Sequence, residues 1–213
     1  LLVGGYPFID YLIWKLKSHG IRNIILSTGY RSDKVTKYFN NNHINGLNVT
    51  CLKEPKPIGT GGALKFASSQ LDSEFLVING DTLFDIDYVD LYRLLHATNG
   101  VIVAMAIRQV SDASRYGQVI TDGVKVKGFG EKAENQFEGN INGGVYMMKN
   151  KVLDMISEGE SSLEHDLFPR LASEGLLVAN QCDGYFIDVG IPNDFKRAQI
   201  ELPLWKENRL SSL

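Results

Sequence analysis

The stretch CLKEPKPIGTGGALKF, residues 51–66, joins three structural signals in one short segment. It opens on apolar residues typical of a strand, passes two prolines and ends on ALKF, which is typical of the first turn of a helix. Between them lie Gly59, Thr60, Gly61 and Gly62. Because glycine loses the most backbone entropy on folding, this cluster predicts an unusual φ angle or a close approach to the backbone. The stretch therefore predicts a strand, a special loop and a helix.

Strands and helices alternate on both sides of this unit. Helices are predicted by the apolar spacing after Pro7, by Ser32 as a cap, and by Asp87 before an apolar repeat. Strands are predicted at residues 22–28, 47–53 and 74–80. This order predicts an α/β fold, Rossmann-like and three-layered, with a mostly parallel sheet and helices on both faces.

The second half of the chain adds a β-hairpin. Asp122-Gly123 lies between two alternating segments, the pattern typical of a two-residue hairpin turn. The remaining predicted elements are strands at 101–110, 141–148, 176–182 and 184–190, helices at 151–157 and 162–173, the latter capped by Ser162, and a last helix from Pro192. Without a linker or repeat, residues 1–213 are predicted to form a single domain, with the hairpin as an embellishment.

Composition narrows the function classes. The 213 residues are 44% hydrophobic and 22% charged with a formal net charge of -3, which is ordinary for a soluble globular protein. The chain has no basic cluster of the kind that binds nucleic acid, no apolar run that could span a membrane, and no secretory signal pattern. We therefore expect a cytoplasmic protein without nucleic-acid or membrane partners, and the sequence leaves a homo-oligomer possible.

Candidate site residues follow the predicted strands. In open parallel sheets, ligands bind outside the carboxyl ends of the strands. Four places follow predicted strands and are therefore candidates for a ligand site: the 59–62 loop, Asn79-Gly80-Asp81, Glu131-Lys132, and Asp188 with its following Gly190. Taken singly, each also has an ordinary structural explanation as a turn or a surface pair. Asp188 stands inside an apolar run, where burial of a carboxylate is costly unless it is paired or metal-bound.

Together these residues favour phosphoryl or nucleotidyl transfer. Asp81 and Asp188 offer two carboxylates for one Mg²⁺, which usually takes one or two protein carboxylates and completes its shell with water and phosphate. A lysine and a glycine loop suit the binding of further phosphate groups. Acyl transfer is disfavoured because the chain has no Gly-x-Ser-x-Gly motif and its four histidines fall at unremarkable helix or loop positions.

The combination resembles the sugar-phosphate nucleotidylyltransferases over nearly the whole chain. Eight marks stand in that family's order: VGGYPFIDYLI, EPKPIGTGGAL, LVINGDTLF, RYGQV, GFGEK, NGGVY, SLEHDLFPRL and YFIDVGIP. Within the family, the chain is most similar to the bacterial guanylyltransferases that act on D-glycero-α-D-manno-heptose 1-phosphate, followed by the mannose-1-phosphate guanylyltransferases.

The resemblance implies a role for each site residue. Gly59, Thr60, Gly61 and Gly62 are expected to border the nucleotide base, and Asp81 and Asp188 to bind Mg²⁺ and take part in catalysis. Lys132, also catalytic, is expected to meet the sugar phosphate. The residues expected to line the sugar pocket are Gly117, Glu131, Asn142 and Gly143. The implied reaction joins GTP and a sugar 1-phosphate, with loss of pyrophosphate, in nucleotide-sugar biosynthesis for lipopolysaccharide or capsule.

One departure from the family pattern concerns the beginning of the chain. The family's first strand and its glycine-rich phosphate loop, with Arg and Lys, have no counterpart before LLVGGYPF. We therefore expect the chain to begin inside a longer natural protein, and residues 1–213 alone to lack turnover.

Three alternatives remain open at this stage. In the first, the acceptor is another hexose 1-phosphate such as mannose or glucose 1-phosphate, or the nucleotide is not GTP. In the second, the chain is a non-catalytic sugar-nucleotide-binding relative, which retention of Asp81, Lys132 and Asp188 disfavours. In the third, it is a glycosyltransferase, for which Asp85 and Asp87 have the required Asp-x-Asp spacing, although Asp87 has a simpler role as a helix cap.

Overall fold

The computed structural model describes residues 1–114, 117–130 and 137–210. Twelve strands are present in this part of the chain: β1 Leu2–Val3, β2 Tyr6–Pro7, β3 Asn23–Thr28, β4 Asn48–Lys53, β5 Glu74–Ile78, β6 Thr82–Phe84, β7 Val103–Val110, β8 Gln118–Asp122, β9 Lys125–Gly130, β10 Gly139–Lys149, β11 Leu177–Gln181 and β12 Phe186–Asp188. The α-helices there are α1 Phe8–Ser18, α2 Ser32–Asn41, α3 Gly59–Phe66, α4 Tyr88–Ala97, α5 Phe168–Ser173 and α6 Pro192–Leu210. A π-helical turn at Leu163–Leu167 leads into α5.

The central sheet has six strands in the order β5-β10-β7-β11-β9-β8. Strands β7 and β11 are parallel, whereas β10 runs antiparallel to β5, β7 and β8. The sheet is therefore mixed, not mostly parallel as predicted, because β10 is inserted in the opposite direction between β5 and β7. Strands β3 and β4 form a separate parallel pair, and β6 and β12 an antiparallel one.

Helices cover both faces of the sheet, as predicted. The side chains of Val103 and Met105 belong to a core that includes residues of α5, whereas those of Ala104 and Ala106 pack with Leu91 and other residues of α4. Because successive side chains of a strand point to opposite faces, β7 is buried on both sides. The α/β class and the three-layer arrangement are thus confirmed.

Local signals in the sequence gave mixed results. Asp87 caps α4 by accepting a hydrogen bond from the Val89 N–H, and Ser162 caps the π-helical turn. The hairpin of β8 and β9 forms, with its two-residue turn one position later than Asp122-Gly123. Ser32 is the first residue of α2, not its cap, because the preceding Arg31 takes a left-handed conformation with φ 57°. Among the described residues, no helix is both long and apolar enough to cross a bilayer.

The end of β6 is anchored by a buried carboxylate. Asp85 accepts hydrogen bonds from Lys15 of α1 at 3.2 Å and from Trp205 of α6 at 2.8 Å, and Arg209 bonds the same oxygen as Trp205. Burial would raise the pKa of Asp85, but the bonds from Trp205 and Arg209 and the Lys15 charge outweigh it and hold the pKa below its usual value. Asp85 and Asp87 thus have separate structural partners, which disfavours the Asp-x-Asp alternative.

Asp85→Asn tests this anchor. Because the buried Lys15 ammonium loses its carboxylate, we expect the free energy of unfolding to fall by about 3 kcal/mol at pH 7. The lowered pKa of Asp85 means that its stabilisation is present above the unfolded carboxyl value of about 4 and is lost as the pH falls through the lower native value. Thermal unfolding between pH 7 and pH 3 should therefore show the Tm difference shrinking.

The control is Asp72→Asn, at an exposed carboxylate, which should change Tm by no more than about 1 °C. A Tm difference for Asp85→Asn that stayed constant with pH would contradict the proposed ion-pair origin.

Candidate active site

The two predicted metal-binding carboxylates lie at one end of the β6–β12 pair. Asp81 immediately precedes β6, and Asp188 is the last residue of β12, where it pairs with Thr82. The Val189 N–H donates to the Asp81 carbonyl at 2.9 Å. A methyl group placed on Gly190 would lie 3.0 Å from Asp188 Oδ1 and 3.6 Å from Asp81 Oδ2. Both carboxylates therefore border the same small space, which a side chain at Gly190 would fill.

The electrostatics of this space favour a cation. Burial raises the pKa of Asp188; the Gly190 N–H, which donates to Oδ1 at 2.8 Å, opposes that rise, and the Asp81 charge adds to it. Among the described residues, no group of three or more His, Cys, Asp or Glu side chains could hold a metal. The pair of carboxylates beside Gly190 fits an ion such as Mg²⁺, which takes one or two protein carboxylates and its other ligands from water and phosphate.

The glycine loop packs against a neighbouring segment of backbone. A methyl group on Gly59 would lie 2.3 Å from the Ser161 carbonyl oxygen, and one on Gly62 would lie 2.4 Å from that of Gly159. The N–H groups of Gly61 and Gly62 both donate to the Ser161 oxygen, at 2.9 and 3.2 Å. Packing against residues 159–161 thus explains the missing side chains without a ligand, and the sequence did not indicate this contact.

Thr60 fastens the loop to the turn before α5. Its hydroxyl donates to Glu164 Oε2 at 2.7 Å and accepts from the Leu163 N–H at 2.8 Å. Ser162 also donates to Glu164 Oε2, at 3.0 Å. Glu164 therefore organises the loop, although sequence analysis gave it no role. The only available signal was its place in the SLEHDLFPRL motif, which carries no indication of its partner.

An irregularity in β10 shapes the predicted sugar pocket. The pairing with β7 shifts register between Asn142 and Tyr146. Gly143 lies in this irregular part, and a methyl group there would come within 2.5 Å of the Phe84 ring. Glycine at position 143 therefore allows β6 to approach β10 closely. Interruptions of this kind re-aim side chains near functional sites.

Asn142 is held inside the irregular segment. Its Oδ1 accepts from the Gly144 N–H at 3.0 Å, and its Nδ2 donates to the Tyr146 hydroxyl at 2.8 Å. The Gly144 carbonyl in turn accepts from the Asn79 N–H at 2.8 Å. This backbone bond connects the irregular segment of β10 to the turn that carries Asp81.

The remaining predicted residues lie beside the undescribed segments. Gly117 precedes β8 with φ +81°, a conformation that favours glycine, and a methyl group there would lie 3.3 Å from the Gly130 carbonyl oxygen. Glu131 and Lys132 are outside the described residues. Their roles, like the ligand contacts of the other site residues, stay predictions.

Comparison with known proteins decides the family. The model of the family described as "Nucleotidyl transferase" matches residues 1–203. The chain belongs to the nucleotidyl transferase family. The resemblance, the α/β fold class and the enzyme class inferred from the sequence are thereby confirmed.

Two curated bacterial relatives are named D-glycero-alpha-D-manno-heptose 1-phosphate guanylyltransferase. The one from Aneurinibacillus thermoaerophilus is 37% identical, with 94% of this chain and 86% of the relative covered. The one from Campylobacter jejuni is 34% identical, with 91% and 85% covered. A mannose-1-phosphate guanyltransferase from Yarrowia lipolytica is 32% identical over 90% of this chain, which spans only 54% of that relative.

Solved structures agree with this assignment. HddC from Yersinia pseudotuberculosis superposes with a TM-score of 0.83 at 31% identity, covering 94% of this chain and 88% of that one. The same protein complexed with GMP-PN superposes with a TM-score of 0.82.

Gly62→Ala tests the packing of the glycine loop. The added methyl group would collide with the backbone oxygen of Gly159, which cannot rotate away as a side chain could. We expect a loss of about 2 kcal/mol in the free energy of unfolding, or roughly 4–8 °C in Tm, although alanine is the better helix former. Thermal unfolding measures the change.

Gly128→Ala is the matched control, because a methyl group there meets nothing within 4 Å. If both variants had the same Tm as the parent chain, the loop would not depend on contact with residues 159–161.

Proposed function

We propose that this chain transfers a guanylyl group from GTP to D-glycero-α-D-manno-heptose 1-phosphate, giving a GDP-sugar and pyrophosphate for surface polysaccharide biosynthesis. The observation that carries the proposal is the pair of carboxylates, Asp81 and Asp188, that face one space beside Gly190. The names of two relatives with 37% and 34% identity support the choice of nucleotide and sugar. The complex of HddC with GMP-PN supports a guanine nucleotide.

The reaction joins two anions. A phosphate oxygen of the sugar 1-phosphate attacks the α-phosphorus of GTP, the bond from that phosphorus to the bridging oxygen breaks, and pyrophosphate leaves with the electron pair. The chemistry requires the reactants to be aligned and their negative charge to be offset. Asp81 and Asp188 would hold Mg²⁺, which supplies charge neutralisation at the transferring phosphate when bound.

The other residues act in binding. Lys132 is proposed to meet the sugar phosphate, with Glu131 on the sugar hydroxyls and Gly117, Asn142 and Gly143 around them. On the nucleotide side, the N–H groups of Gly61 and Gly62 already donate to Ser161. We therefore propose that these two glycines border the base by van der Waals contact and not by donating hydrogen bonds.

The substrate assignment is tested by pyrophosphate release from the full-length protein. The panel crosses GTP, ATP, CTP and dTTP with heptose, mannose and glucose 1-phosphates. We expect the highest kcat/KM for GTP with the heptose 1-phosphate. A higher kcat/KM with mannose 1-phosphate would change the assigned acceptor to mannose 1-phosphate and leave the proposed reaction intact. No pyrophosphate release from any pair would refute the proposed function.

Asp81→Asn and Asp188→Asn test the metal pair. Loss of one carboxylate weakens metal binding and charge stabilisation, so we expect kcat to fall about 100-fold or more in each variant at low Mg²⁺. The exposed Asp183→Asn serves as the control. Near-normal turnover of either variant at low Mg²⁺ would remove that residue from the metal site.

Stability distinguishes this effect from unfolding. The raised native pKa of Asp188 means that its charge costs stability above that pKa, and that the cost disappears as the pH falls below the unfolded value of about 4. Asp188→Asn removes the charge. We therefore expect its Tm without Mg²⁺ to be no lower than that of the parent protein at pH 7, with any gain fading toward pH 4.

Lys132→Ala tests the acceptor side. It should raise KM for the sugar 1-phosphate by about tenfold or more and lower kcat, while KM for GTP changes little, because a charge-assisted contact to phosphate is lost. Lys125→Ala, exposed on the hairpin, is the control. Equal losses for both substrates would show that Lys132 does not distinguish them.

A further inference from the structure

We infer that Tyr146 is a positioning residue of this site, whose hydroxyl orients Asn142 toward the sugar 1-phosphate and ties it to the turn that carries Asp81. The inference rests on the proposed function. Neither the family match nor the relatives' names assign a role to Tyr146, and it was not among the site residues predicted from the sequence.

The hydroxyl of Tyr146 is a polar group on a fully buried side chain. Its side chain has no exposed surface and its ring packs against Phe168, with ring centroids 4.9 Å apart. A phenylalanine would fill most of the same space without burying a polar group. Because a buried hydroxyl is costly unless it is hydrogen-bonded, its value lies in the groups that it organises.

Two asparagine side chains meet at this hydroxyl. Asn142 Nδ2 donates to it at 2.8 Å, and the Asn79 side chain lies close enough to lower its pKa. Burial has the larger effect and raises the pKa of Tyr146, so the hydroxyl remains neutral and able both to accept and to donate. Asn79 and Asn142 come from different segments, and both lie beside the Tyr146 hydroxyl.

The orientation of Asn142 follows from these contacts. Its Oδ1 accepts from the Gly144 N–H and its Nδ2 donates to the Tyr146 hydroxyl, and a flip of the amide would turn its NH2 group toward the Gly144 N–H and lose that bond. An amide nitrogen carries two hydrogens. One is directed to Tyr146, and we propose that the second, on the half-buried Asn142, donates to a sugar hydroxyl or phosphate oxygen.

The second link reaches the metal pair. Asn79 begins the Asn79-Gly80-Asp81 turn, and its N–H donates to the Gly144 carbonyl at 2.8 Å. Asp81 lies close enough to Tyr146 to interact with it electrostatically, as does Glu164, which holds Thr60. The Asn79 N–H bond to the Gly144 carbonyl thus connects the segment of Asn142 and Tyr146 to the turn that carries Asp81.

Tyr146→Phe in the full-length protein tests the inference. We expect the dissociation constant for heptose or mannose 1-phosphate, measured by calorimetry without GTP, to rise about tenfold, since one oriented hydrogen bond is lost. The dissociation constant for GTP should change less than about twofold. In turnover, KM for the sugar 1-phosphate should rise more than kcat falls.

Tyr11→Phe is the matched control. Tyr11 is also fully buried, and its hydroxyl donates to the Val3 carbonyl at 3.1 Å. Both variants lose one buried hydrogen bond and should lose similar stability, but only Tyr146→Phe should weaken sugar-phosphate binding. Equal sugar-phosphate affinity in the two variants, or an equal loss for GTP and sugar phosphate in Tyr146→Phe, would overturn the inference.

Asn79→Ala provides a second route if Tyr146→Phe fails to fold. It removes the other polar side chain beside the hydroxyl and should weaken sugar-phosphate binding in the same selective way; unchanged affinity would count against the link. Where the double variant folds, its effect should be smaller than the sum of the two single effects. Absence of pyrophosphate release from the parent protein would refute the proposed function, whereas the binding comparison between variants judges Tyr146 separately.

Discussion

The antiparallel pairing of β6 with β12 is the constraint on which the site depends. It sets Asp188 beside Thr82 and brings the Val189 N–H to the Asp81 carbonyl, so backbone hydrogen bonds fix the spacing of two carboxylates that are distant in sequence. The pair packs through Leu83 and Ile187 onto a core formed with α1 and α6. Two like charges are thereby held together by the stability of the surrounding fold and not by attraction between them.

Several glycines of the candidate site lie where another part of the chain comes very close to the backbone. This close approach explains why the sequence alone did not identify their neighbours. Gly62 was predicted as a ligand-contact residue because a bare backbone suits a ligand, and Gly143 because the family resemblance implies a place in the sugar pocket. In the structure, Gly62 faces the Gly159 carbonyl and Gly143 faces the Phe84 ring. A sequence shows that something comes close to a glycine, but another part of the chain and a ligand leave the same signature.

Features decided by neighbouring residues were mostly predictable, with the Ser32 cap as an exception, and features decided by distant residues were not. The caps at Asp87 and Ser162 act within three residues, and both are confirmed. Apolar periodicity predicted β10 as a strand but carries no information on its direction, so the mixed sheet was missed. Likewise, Asp81 and Asp188 could be proposed as partners from their strand ends, whereas the contact of Asn142 with the Tyr146 hydroxyl required the fold itself.

Asp85 and Asp188 both lie at ends of the β6–β12 pair, but their charges have opposite effects on the stability of the fold. Asp85 lies just beyond β6, where Trp205, Arg209 and Lys15 hold its pKa below the usual value, and its charge therefore stabilises the fold. Asp188 ends β12 with a raised pKa, facing the carboxylate of Asp81. A fold selected for stability alone would pair both aspartates with cations or replace them. One carboxylate paired with cations and the other facing a second carboxylate is the arrangement that the proposed Mg²⁺ site would require, because there binding and not folding would determine the residue.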